Sequence, residues 1–306
     1  MARFRITSLL LAALPALLLL PACTPPDAPP AALTITDDLG REVALARLPR
    51  RIVTLAPSLT EVVFAAGAGS TVAGVTPADD FPAAVDTLPR FSALPMDFEA
   101  IAALRPDLAL ATDQVNNPRD AETLHTLGIP TVFLSFRSLE DIYRGIRHVG
   151  AWLGTADQAE AAADSLERLA QGLQAATRTM QDRPLVLFLI GDDTLYAFGR
   201  DSYIHALIEL AGGRSATGDL ETQAPILDDE FVLIANPEVI IGAFGPDYDP
   251  ATLLEKHPTW SSLDAVRQGR VYSLDPDLVL RPGPRLLEAG RQMAALLHPG
   301  VLVEAP

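Results

Sequence analysis

Asp97-Phe98-Glu99-Ala100-Ile101, running on to Arg105-Pro106-Asp107-Leu108-Ala109-Leu110, returns as Asp228-Asp229-Glu230-Phe231-Val232, running on to Asn236-Pro237-Glu238-Val239-Ile240-Ile241. In both copies an Asp opens the stretch, a Glu follows two residues later and a β-branched residue four later. A Pro then comes nine later, followed by an acid and an apolar run. Asp is a favoured N-cap, Pro cannot continue a helix, and a short apolar run suits a buried parallel strand. Each copy therefore predicts a capped short helix, a stop and a strand. Two related lobes in one chain imply a cleft between them, and each lobe presents one glutamate at the same place.

Working outward, strands and helices alternate. Ile52 to Ala56 predicts a strand ended by Pro57, and Ser58-Leu59-Thr60-Glu61 has capping-box spacing for a helix that stops at Gly67. Val72 to Val75, Leu108 to Ala111 and Thr131 to Leu134 predict further strands. Asp97 caps a helix to Leu104, Arg119 to Leu127 is helical, and Ser138 with Asp141 caps a helix to about Leu153. After Pro184 the pattern restarts with a strand over Leu185 to Ile190 and a hairpin arm over Leu195 to Phe198. Ser202 caps a helix ending at Gly212-Gly213, and Asp228 caps the next. Strands at Val239 to Ile241 and Val271 to Leu274 precede a last helix that Pro284 opens and that fades near His298. Ala66-Gly67 and Ala211-Gly212 end matching helices, which supports the duplication. The alternation is that of a parallel sheet covered on both faces.

Between the halves, Thr155 to Gln181 contains no Pro and one Gly, with Ala159, Ala162, Ala163, Leu166, Leu169, Leu173 and Ala176 at helical spacing. Such a helix reads as a strut joining the lobes; the plainer alternative is a long helix belonging to one lobe. The expected fold class is α/β: two Rossmann-like lobes joined by one long backbone helix, with a ligand cleft between them. The expected divisions are a signal segment at 1–23, a Pro-rich tether and entry segment at 24–47, lobes at 48–153 and 183–306, and a linking helix at 154–182.

The 306 residues leave room for two cores, and a net charge of −16 argues against nucleic acid. Lys256 is the single lysine among 23 basic residues. At the N-terminus Arg3 and Arg5 precede an apolar run from Leu9 to Leu20, too short for a comfortable membrane span, and Leu20-Pro21-Ala22-Cys23 follows. This resembles a bacterial lipoprotein signal, with Cys23 lipidated; the alternative is an ordinary secretory signal with an incidental Cys. Cys23 is the only cysteine, so a lipidated chain has no disulfide and no thiolate chemistry.

Ligands of open α/β sheets lie beyond the carboxyl ends of the strands. The loops there hold Pro57 and Ser58, Ala78 to Phe81, Thr112 to Asn117, Phe198 to Asp201, Phe244 to Tyr248 and Asp277 to Arg281. Their aromatics, amides, acids and arginines suit a large, partly polar ligand. Enzyme signals are weak: the five His (His125, His148, His205, His257, His298) show no metal-ligand spacing, and Gly67-Ala68-Gly69 follows a helix rather than a strand. Glu99 and Glu230 each fall in the first turn of a helix, where the dipole favours a carboxylate. Their repetition adds a second reading, a pair of charges on two lobe tips matched to the arginines of a symmetric partner.

Arg51 to Glu61, Ala66-Gly67, Phe98-Glu99 to Pro106-Asp107, Glu230 to Pro237 and Leu280 to Arg285, with the long central helix, resemble the helical-backbone periplasmic binding proteins of ABC importers. The resemblance covers roughly Leu48 to Pro299 and is strongest toward members that bind cobalamin. It implies docking of Glu99 and Glu230 on a permease dimer with its ATPase subunits. With the N-terminal signal and Cys23, the expectation is a monomer exported to the periplasm or cell surface and held to the membrane by lipid alone. The ligand residues that the resemblance implies, together with the loops above, are Pro57, Ser58, Ala78, Phe81, Asp113, Asn116, Phe198, Asp277, Leu278, Val279, Leu280 and Arg281. Leu278 and Val279 stand where aromatics are expected, and Ala78 where a tyrosine is. No cofactor and no metal site is expected. The expected ligand is cobalamin, with haem or a ferric siderophore as alternatives; Tyr248 is the candidate axial ligand for haem. The rivals are an enzyme or chelatase handling a tetrapyrrole in the same cleft, and a scavenger without a permease.

Overall fold

A computed structural model describes residues 33–300; the signal segment, Cys23 and most of the Pro-rich stretch lie outside the described residues. The chain enters through an antiparallel hairpin, β1 (Leu33–Thr36) and β2 (Glu42–Leu45), which the sequence reading did not foresee. There follow β3 (Ile52–Thr54), α1 (Pro57–Ala65), β4 (Val72–Gly74), α2 (Phe98–Ala103), β5 (Leu108–Ala111), α3 (Pro118–Thr126) and β6 (Thr131–Phe133). These strands form a parallel sheet in the order β4-β3-β5-β6.

Two helices come next, α4 (Leu139–Leu153) and α5 (Ala156–Thr177). The second half contains β7 (Leu185–Leu189), α6 (Tyr203–Leu210), β8 (Arg214–Ser215), α7 (Asp229–Ala235) and β9 (Val239–Gly242). It continues with α8 (Pro250–Lys256), α9 (Asp264–Arg267), β10 (Val271–Ser273), α10 (Pro276–Val279) and α11 (Leu286–Leu297). Its sheet is also parallel, ordered β8-β7-β9-β10. The two sheets thus share one strand order, and the fold is two α/β lobes of the expected class.

The repeated stretch explains the match. Asp97 accepts from the Ala100 amide and Asp228 from the Phe231 amide, so both caps form. The residue before each Pro, Arg105 and Asn236, has a positive φ of 47° and 41°, a left-handed stop that only two non-Gly residues adopt among those described. The acid after each Pro then braces the central strand. Asp107 accepts from the amides of Arg50 and Arg51, just before β3, and Glu238 accepts from the Leu185 amide that opens β7. Burial would raise the Asp107 pKa, but these bonds and Arg47 outweigh it and hold the carboxyl below its usual range.

α5 spans 22 residues, about 33 Å at 1.5 Å per residue, and is shorter at its C-terminal end than the periodicity suggests. Gly154 caps α4 at φ 80° and turns the chain sharply into α5, while a Cβ at Gly150 would collide with that of Ala159. The close approach lets Arg147 of α4 reach Glu160, Asp164 and Glu167 along α5. The matching helix ends of α1 and α6 both land on this helix. Gly67, at φ 76°, abuts Gln158 near one end, and Gly212, at φ 85°, abuts Thr177 at the other. A single buried apolar cluster runs from α1 through α4 and α5 to α6 and α11, so the strut shares the core of both lobes.

Three local expectations fail. The capping box over Ser58–Glu61 does not form: Pro57 takes the first helical turn, the cap falls on Ala56, and Glu61 is drawn elsewhere. The last helix begins at Leu286, not Pro284. The hairpin arm over Leu195 to Phe198 is reduced to isolated bridges, Leu189 with Ala197 and Tyr196 with Ile226. Among the described residues no helix is long and apolar enough to cross a membrane.

Candidate functional site

The carboxyl ends of both sheets open onto a cavity of about 340 Å³ between the lobes. The N-terminal lobe contributes Ala56, Pro57 and Ser58 after β3, Gln114 and Val115 after β5, and Phe136 and Arg137 after β6. The C-terminal lobe contributes Ile190 after β7, Phe198, Asp201 to Tyr203, Gln223 and Ala224, and Leu280 to Pro282. Phe198 packs edge-on against Tyr203 at 5.3 Å and against Phe188 at 5.9 Å, giving one wall an aromatic backing. Burial raises the pKa of the Tyr203 phenol, whose hydroxyl makes no hydrogen bond within the described residues.

Of the expected ligand residues, Pro57, Ser58, Phe198, Leu280 and Arg281 line this cavity. Asp113 stands behind it: its carboxylate accepts from the Ser135 hydroxyl at 2.8 Å and from Arg137 at 3.1 Å, orienting the arginine that does line it. Asn116 is buried and occupied, accepting from the Thr112 amide and donating to the Leu55 carbonyl, which pins the loop after β5. Val279 is fully buried in the core and Leu278 packs against that core, so the two positions where aromatics were expected face the protein, not the cavity. Tyr248 donates to Asp192, packs on Phe244 at 4.4 Å and is not among the residues that line the cavity. Among the described residues no three metal-ligating side chains gather.

Ala78, Phe81, Asp277 and Arg281 are brought together, but at one flank of the cleft and in a network that the sequence reading missed. Glu61 of α1, with its side chain 2% exposed, accepts two bonds from Arg285, at 3.0 Å from Nε and 2.6 Å from Nη2. Burial raises the Glu61 pKa against the pull of Arg285, and the same pairing holds Arg285 protonated more firmly than usual. Arg281 donates to Asp80 and to the Ala78 carbonyl, and pairs with Asp277 at 2.6 Å. Its hydrogen bond lowers the Asp80 pKa, whereas burial raises that of Asp277. The Arg285 guanidinium lies 4.3 Å over the Phe81 ring.

Sequence reasoning also missed Phe136, Arg137, Tyr203 and Gln223. The first two follow β6 directly, so the strand-end rule could have found them; Gln223 lies in an irregular stretch with no strand before it. Glu99 and Glu230 sit exposed in the first turns of α2 and α7, and neither forms an ion pair within the described residues. α7 is the better braced of the two helices. Asp229 accepts from the Trp260 indole at 2.9 Å and bonds His257 at 2.7 Å, while α2 has no equivalent side-chain support.

Comparison with known proteins fits this architecture. A protein of Bacillus subtilis strain 168 named as an uncharacterized ABC transporter substrate-binding lipoprotein, YvrC, is 29% identical over 278 residues, covering 89% of this chain and 87% of its own. The vitamin B12-binding protein of Pectobacterium carotovorum subsp. carotovorum strain PC1 is 29% identical over 252 residues, covering 82% of this chain and 89% of its own. The crystal structure of a periplasmic heme binding protein from Pseudomonas aeruginosa superposes with a TM-score of 0.74 at 28% identity, covering 84% of this chain and 96% of that one. A family model described as periplasmic binding protein matches residues 52–278, most of the length and both sheets, and the chain belongs to the periplasmic binding protein family.

Proposed function

We propose that this chain is the substrate-binding lipoprotein of an ABC importer. It is exported, anchored through Cys23, and captures cobalamin or a related corrinoid between its lobes. It then delivers the ligand to a permease dimer, with its ATPase subunits, through Glu99 and Glu230. The observation that carries the reading is the cavity itself: both lobes line it, aromatic and aliphatic side chains form its walls, and Gln114 and Gln223 stand on opposite lobes. Apolar walls suit the corrin ring, and amide side chains suit the ring's peripheral amides. At about 340 Å³ the cavity is near the lower end of the usual range for small-molecule sites, so the lobes must part to admit a corrinoid. The role is binding without turnover, and the ligand is released unchanged.

A haem or ferric siderophore is the second reading. Tyr203, not Tyr248, is the phenol placed for it, since it lines the cavity with its hydroxyl unengaged. Calorimetric titration of the full chain with cyanocobalamin, then haemin, then a ferric siderophore tests both. One-to-one binding of cyanocobalamin supports the corrinoid. Binding of haemin alone, lost in Tyr203→Phe, moves the cargo to haem.

A further inference from the structure

All hydrogen bonds and ion pairs that cross directly between the lobes, among the described residues, fall in one cluster: Glu61 with Arg285 and, at 4.0 Å, with Arg281, Asp80 with Arg281, and the Ala78 carbonyl with Arg281. The arginines belong to the C-terminal lobe and their partners to the N-terminal lobe. Phe81 of the N-terminal lobe adds its ring to Arg285. The segment between the arginines, Pro282 to Pro284, is three residues long with φ fixed at two of them, so the two arginines stay close together. Leu280, Arg281 and Pro282 line one wall of the cavity, and Arg281 among them is fastened to the opposite lobe. Across the rest of the cavity Gln114, Val115 and Arg137 share the lining with Asp201, Gln223 and Ala224, and no bond joins the two sets.

We propose that residues 277–285 form a fixed seam that ties the lobes along one flank, and that ligand enters and leaves only through the opposite flank, between Gln114–Arg137 and Asp201–Ala224. Opening at the seam would break the two bonds between Arg285 and Glu61 and those from Arg281 to Asp80 and the Ala78 carbonyl, whereas opening at the mouth breaks no polar contact. The motion is therefore a one-sided parting about the seam and the backbone helix. This inference rests on the cleft being the binding site.

Two cross-links in the full chain carrying Cys23→Ser test it. One bridges the seam with a bis-maleimide between Asp80→Cys and Pro284→Cys; the other bridges the mouth between Val115→Cys and Ala224→Cys. With cyanocobalamin as probe, the seam-locked protein should associate within about twofold of the unlocked rate, and the mouth-locked protein at least ~100-fold more slowly. Equal slowing by both locks, or slowing by the seam lock alone, overturns the proposal. A ligand-independent arm separates failure of the cargo from failure of the seam. In Asp80→Asn, and in Glu61→Gln where it folds, amide exchange at Arg281, Gly283 and Arg285 should rise about tenfold, with residues 113–115 and 222–224 unchanged. If wild type takes up no cyanocobalamin, this arm decides alone, and unchanged exchange at the seam refutes the idea.

Discussion

Replacing Glu61 by Leu would leave the Arg285 guanidinium without its carboxylate inside the seam. Removing one partner of a buried pair costs about 3–5 kcal/mol. Arg285 keeps 22% of its side chain exposed and a bond to the Asp277 carbonyl, so the Glu61→Leu cost falls toward ~2–3 kcal/mol. Arg285→Met leaves the better-buried Glu61 with Arg281 alone, 4.0 Å away, and its cost lies toward ~3 kcal/mol. The double variant removes both charges from a largely apolar setting and should sit within ~1 kcal/mol of wild type, a coupling energy of several kcal/mol. At about 2–4 °C per kcal/mol for a chain somewhat smaller than this one, Glu61→Leu lowers Tm by roughly 4–12 °C. Guanidinium denaturation of the four proteins closes the cycle. Single variants within ~0.5 kcal/mol of wild type, or a double variant as costly as the sum, would show that the pair does not hold the lobes.

Further outcomes follow from the same structure. Because burial raises the folded pKa of Glu61 above its ordinary value of 4.5, the folded state binds its proton more tightly than the unfolded chain. The stability of wild type relative to Glu61→Gln should therefore increase as pH falls through the raised value toward 4.5, and a difference that shrinks on acidification contradicts the assignment. Asp97→Ala and Asp228→Ala each remove a helix cap and should cost about 1 kcal/mol, additive within ~0.5 kcal/mol when combined, as measured by denaturation. Glu99→Ala with Glu230→Ala should reduce the stimulation of the permease's ATPase by at least ~10-fold, most strongly at low salt, and an unaltered stimulation removes these residues from docking.

What the sequence made legible was local or repeated. The caps at Asp97 and Asp228, the stops before Pro106 and Pro237, and the parallel strands after them are each set by a few neighbouring residues, and the second copy checks the first; the left-handed turns at Arg105 and Asn236 that make those stops were not legible. The seam was not legible. Glu61 and Arg285 are 224 positions apart, and the residues around Glu61 carry a competing local signal, a Ser-x-x-Glu spacing that Pro57 overrides by taking the first turn. Leu278 and Val279 misled for a related reason: the loop that holds them folds back into a short helix, α10, whose inner face belongs to the core. Tyr203 was hidden by its place after a capping Ser, where it read as an ordinary first helical residue, although that turn is what brings it to the cavity.

Capture of the ligand between the lobes is tested by amide exchange of the full chain with and without saturating cyanocobalamin. Protection is expected in segments from both lobes, at residues 56–58, 114–115, 198–203 and 223–224. Protection confined to one lobe, or appearing at the separate depression lined by Arg183, Arg214 and Arg270, would contradict it.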